Sequence, residues 1–82
     1  MYATDVKALI EKKKNVKFSV SKGPVSAIAD FNEYEGETGL TLFGGAIAIL
    51  FDRIETTDCY GIDLYFEGKC VAAINVSEWS VC

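Results

Sequence analysis

The sequence predicts an α+β domain in which an N-terminal helix packs on a mostly antiparallel sheet of five to six strands built from hairpins. Three observations carry that prediction. Apolar residues recur at helical spacing near the N-terminus, at Val6, Leu9 and Ile10. Beyond them, apolar and polar residues alternate in short runs, as in Val16, Phe18 and Val20 against Lys17, Ser19 and Ser21. The runs are punctuated by glycine-containing pairs, Gly23-Pro24, Gly44-Gly45 and Glu67-Gly68, of the kind that close hairpins.

The helix is expected from about Thr4 to Lys14, with Thr4 as N-cap and Asp5 in the first turn. Its capping box is incomplete, because Lys7 stands where Glu or Gln would reach back. Lys12, Lys13 and Lys14 fall in the last turn, where cations complement the helix dipole, and Asn15 can close it. A first strand follows at Val16. After the Lys22-Gly23-Pro24 turn, Val25, Ala27, Ala29 and Phe31 share one face of a second strand reaching about Tyr34, with Ile28 on the other. The two strands are expected to pair.

Residues 38 to 54 admit two readings. Ile47, Leu50, Phe51 and Ile54 fit a helix, whereas Ile47, Ile49 and Phe51 fit a strand. With Gly44-Gly45 as a two-residue turn, Leu42 faces Ile47, Leu40 faces Ile49 and Thr38 faces Phe51, which gathers the apolar side chains on one face. That consistency favours strands, with a helix from Ala46 to Glu55 as the alternative.

Tyr60 to Val76 reads as the central hairpin, closed by Glu67-Gly68, with Tyr65 opposite Cys70, Leu64 opposite Val71 and Ile62 opposite Ala73. Both its faces are then largely apolar, so cover is expected on both sides. Ser77 to Cys82, which holds the only tryptophan, Trp79, reads as a short tail.

Composition bounds the function. The 82 residues make one domain, 1–82, and a domain of this size buries only about 60% of its unfolded surface. No apolar run approaches the roughly 18 residues that span a bilayer, and the N-terminus carries no signal-peptide pattern. The expected location is cytoplasmic, with no membrane partner. The net charge of −4 is uneven: residues 1 to 22 carry six lysines against Asp5 and Glu11, whereas the remainder carries ten acids against Arg53 and Lys69. That acidity argues against direct nucleic-acid binding, which needs a basic footprint.

Catalytic chemistry finds no foothold. With no histidine, triads and metal sites built on imidazole are excluded. Cys59, Cys70 and Cys82 match no zinc spacing, and an odd count without a secretion signal reads as free thiols, Cys70 being a small core residue. A calcium loop starting at Asp30 fails, because Tyr34 stands at its fifth position and Gly36 falls one place late. Gly44-Gly45 lacks the strand, loop and helix context of a phosphate cradle. No catalytic residue, metal or cofactor is expected.

In size, acidity and single-domain economy the chain resembles the small phage-encoded inhibitors of bacterial defence systems, the anti-CRISPR proteins among them. The resemblance extends over the whole chain as a general character. It implies a protein that binds a nuclease or CRISPR effector complex in the host-cell cytoplasm and blocks it, with acids standing in for phosphates. On that footing Asp30, Glu33, Glu35 and Glu37 face Lys or Arg of the target, with Tyr34 as an aromatic anchor among them. The alternative is a structural homodimer joined by sheet faces or edges.

Overall fold

Hairpin turns set out most of the strand order. At Glu35-Gly36 and at Glu67-Gly68 both turn residues have positive φ (52° and 82°, 51° and 81°), a geometry whose twist matches that of the flanking strands. The computed structural model describes residues 1–13 and 15–82. Among the described residues, helix α1 (Ala3–Lys12) precedes β1 (Val16–Lys22), β2 (Val25–Tyr34), β3 (Glu37–Leu42), β4 (Ile47–Phe51), β5 (Arg53–Thr56), β6 (Gly61–Phe66), β7 (Lys69–Asn75) and β8 (Trp79–Val81). The class is α+β and the pairing antiparallel, as expected. However, the strands form two sheets, a five-stranded one in the order β4-β3-β2-β1-β8 and a three-stranded one in the order β5-β6-β7.

Asp52 is the corner between them. β4 pairs with β3 up to Phe51, and β5 pairs with β6 from Arg53 onward, so one stretch of chain serves both sheets. The Asp52 N–H donates to the Tyr65 carbonyl at 2.8 Å, which holds the bend. A strand that switches sheets in this way brings two inner faces together. Phe18, Phe31, Leu40 and Phe51 of the larger sheet meet Ile54, Ile62 and Leu64 of the smaller, and α1 adds Ala3, Val6 and Ile10. No polar or charged residue among the described ones is buried as a whole, although one carboxylate oxygen of Asp30, Oδ1, is out of contact with water and has no hydrogen-bond partner.

Phe31 occupies the centre. Its ring meets Phe18 at 5.9 Å and Phe51 at 5.9 Å, both edge to face, and Trp79 at 6.0 Å. Trp79 belongs to the stretch expected to be a tail. Instead, Val20 pairs with Trp79 and Phe18 with Val81, so β8 completes the larger sheet. A three-residue strand carries too little pattern to be recognised alone; burial of its tryptophan is what places it.

The register from Thr38 to Phe51 is the one expected, with Thr38 opposite Phe51, Leu40 opposite Ile49 and Leu42 opposite Ile47. Strands therefore stand where a helix over Ala46 to Glu55 was the alternative. The connection is longer than a two-residue turn, since Phe43–Gly45 form a short 3₁₀ turn before Ala46.

The central hairpin differs more. Leu64 pairs with Ala72 and Tyr65 with Cys70, which leaves Val71 as a β-bulge. Ile62 accordingly faces Ile74, not Ala73, and every residue after the bulge changes sides. Val71 and Cys70 are exposed, contrary to the expected core positions, while Ala72 and Ile74 pack against the core. Only one face of this hairpin is covered. The other carries Arg53, Glu55, Asp63 and Tyr65, with the Arg53 guanidinium 4.3 Å from the Tyr65 ring centroid.

The helix begins at Ala3, one residue before the expected Thr4 cap, and Tyr2 occupies the N-cap position without a side-chain cap. Tertiary contacts replace the cap: the Ala3 N–H donates to Cys59 O at 2.8 Å, and the Tyr2 and Tyr60 rings stack at 5.5 Å. At the other end Lys13 is already extended, and the expected boundary at Lys14 lies outside the described residues. Asn15 does not close the helix; its side-chain oxygen accepts from the Glu33 N–H at 3.1 Å.

Phe31→Ala is expected to cost about 3–5 kcal/mol, a large share of the about 5–15 kcal/mol that holds a domain folded. Urea unfolding followed by circular dichroism measures it. The bulge makes a second prediction: Val71→Thr should change stability by less than about 0.5 kcal/mol, whereas Ile62→Ala should cost about 2–5 kcal/mol. A Val71→Thr cost near that of Ile62→Ala would place Val71 inside.

Candidate functional site

The acids expected to form the site sit on and around the β2–β3 turn. Strand alternation separates them. Glu33 follows the Phe31 side of β2, while Tyr34 and Asp30 follow the outer side. Tyr34 is 76% exposed, the most exposed large hydrophobic residue among those described, and pairs across the turn with Glu37. Glu35 lies in the turn itself, at φ 52°. These four stand together at one end of the molecule.

Asp30 does not join them. It lies further back on the outer face of β2, opposite Lys17 of β1 and Thr41 of β3, with a carboxylate oxygen 3.8 Å from Lys17 Nζ. The Thr41 hydroxyl donates to its carbonyl at 3.4 Å. Asp30 is thus held by its neighbours within the sheet.

The fold adds acids that the sequence reading left out. Because Thr38 pairs with Phe51, Glu37 and Asp52 are the next residues along the same two strands. The turn and the corner therefore meet. Asp52 Oδ2 accepts from the Glu67 N–H at 3.0 Å, which ties the β6–β7 turn and its carboxylate to the same end. A groove of about 420 Å³ opens beside the corner, with Ile10, Phe51 and Ile54 among the residues that line it, and Glu11, Glu33, Asp52 and Glu55 at its walls. Among the described residues, Lys7 and Arg53 are the cations that line it. Lys7 lies 3.9 Å from Glu11, and Arg53 Nε lies 3.6 Å from Glu55. Exposed pairs of this kind contribute roughly 0–1 kcal/mol.

Only register could have found Asp52, and Glu67 joins it through a side-chain hydrogen bond that no register expresses. The relevant signal was present: the Thr38–Phe51 pairing places Glu37 beside Asp52. Chemically, carboxylates beside an apolar floor suit long cationic side chains, whose methylene stems cover Phe51 or Ile10 while their heads meet the acids. Among the described residues, no group of three or more Cys, Asp or Glu side chains is placed to hold a metal ion. Among the described residues, no helix is long and apolar enough to cross a membrane.

Asp52→Ala removes the acceptor of the Glu67 N–H and is expected to destabilise the domain by about 1 kcal/mol, with Asp52→Asn intermediate. Denaturant titration of the two variants beside the parent chain provides the comparison.

No family model matches the chain, and neither a curated protein nor a solved structure matches it.

Proposed function

We propose that the protein is a non-catalytic binding module that docks its acidic end on a basic surface of a partner protein, occupying ground that the partner uses for nucleic-acid phosphates. The observation that carries this reading is the convergence of Glu33, Glu35 and Glu37 with Asp52 and Glu67, three separate parts of the chain, beside the exposed Tyr34. Clustered carboxylates raise the encounter rate with a cationic surface and set the approach direction, whereas an aromatic side chain supplies contact area once water is expelled. Glu35 and Glu37 lie in and next to a tight turn, where backbone pairing fixes their spacing. Such a module acts as an inhibitor or adaptor. A partner of the nuclease or CRISPR effector kind, met in the cytoplasm of a phage-infected cell, fits this chemistry.

The experiment is capture on the immobilised chain from a cell lysate, identification of what is retained by mass spectrometry, and affinity measurement with the purified partner. Affinity should fall as ionic strength rises, and Glu33→Lys, Glu35→Lys and Glu37→Lys together should weaken it by at least about tenfold while circular dichroism stays unchanged. Tyr34→Ala should raise the dissociation rate more than it lowers the association rate. Binding by the triple variant at parental affinity would remove the acidic end from the interface.

A further inference from the structure

A different part of the fold carries a second interaction surface. The five-stranded sheet ends at β4, and no strand among the described residues pairs with its free side. No charged residue occurs along this edge or the strand beside it, from Thr38 to Phe51. Natural edge strands are commonly guarded by lysine, proline or a bulge, and β4 has none of these over its five residues, Ile47–Phe51. Ile47 and Leu50 are 42% and 45% exposed although each belongs to a regular ladder.

We propose that β4 pairs antiparallel with β4 of a second copy of this chain across a two-fold axis beside Ile49, joining two five-stranded sheets into one. The charge distribution selects this occupant. A cationic partner suited to the acidic end meets no carboxylate on β4 itself. In the two-fold arrangement Ile49 lies opposite Ile49 of the second copy, Ala48 opposite Leu50 and Ile47 opposite Phe51, all uncharged. The seam ends at Phe51, because the Asp52 N–H donates to the Tyr65 carbonyl of β6 and the chain leaves the sheet there, so no acid enters the ladder. The antiparallel sense also sends the two acidic ends to opposite extremities of the joined sheet, where mutual repulsion of two copies of charge −4 is weakest. Ala48 and Leu50 of both copies come together on the outer face and lose contact with water, which adds apolar burial to the new ladder. This pairing stands apart from the acidic-end proposal, and either can fail without the other.

Sedimentation equilibrium of the full chain across a dilution series tests it. The expected result is a reversible shift from twice the chain mass towards 9.0 kDa on dilution. The pairing places position 48 opposite position 50, both on the exposed outer face. A48K/L50K and A48E/L50E should therefore each remain monomeric, with the far-ultraviolet circular dichroism of the parent, because like charges then face each other. Mixed in equal amounts, the two variants should recover the dimer, now with opposite charges in register. A parent chain that stays at 9.0 kDa throughout, double variants that associate like the parent, or a mixture that stays monomeric would each overturn the pairing.

Discussion

Phe31 touches Phe18, Phe51 and Trp79, and through them it ties β1, β4 and the C-terminal β8 to the middle of the larger sheet. The cluster holds most of the aromatic area the core possesses, and aromatic side chains supply the largest burial per residue. A chain this short has no second core to fall back on. Its helix is anchored by packing and by the Ala3 bond to Cys59, not by a cap, and its last strand is three residues long. Both rely on a shared interior for their stability, because neither can form alone.

The bend at Asp52 also shapes the surface over that interior. By carrying one strand out of the larger sheet and into the smaller, it folds β5, β6 and β7 over the aromatic cluster. The same bend brings the β2–β3 and β6–β7 turns to one end. The hydrogen bond from Glu67 to the Asp52 carboxylate belongs equally to the fold and to the acidic end, so stability and surface charge are linked at that residue. The uncharged β4 lies immediately upstream of it. Two surfaces of opposite character, one carboxylate-rich and one apolar, thus adjoin along a single strand.

Much of the fold was legible because hairpin turns and alternating patterns are local. The Thr38–Phe51 register followed from matching apolar faces across Gly44-Gly45, and the Lys22-Gly23-Pro24 turn between two alternating runs pointed to the pairing of β1 with β2. It failed at Val71, where a bulge inserts one residue and reverses the faces beyond it. A bulge is chosen by how a strand curves over its neighbours, and alternation in Cys70 to Val76 gives equal support to either register. The acidic turn was legible as a charge run, and its approach to Asp52 was implicit in the Thr38–Phe51 register, yet the addition of Glu67 was not legible, because it arises from a corner and a side-chain bond between distant residues.

By itself the sequence determined the α+β class, the one helix, the hairpin turns and the surplus of acid after residue 22, since each of these depends on neighbours along the chain. Tertiary structure decided which face of the central hairpin is wet, that the C-terminal segment is a strand, and which acids share an end. Those outcomes follow from how two twisted sheets cover one another's apolar faces, a constraint on the whole chain that no local run of residues expresses.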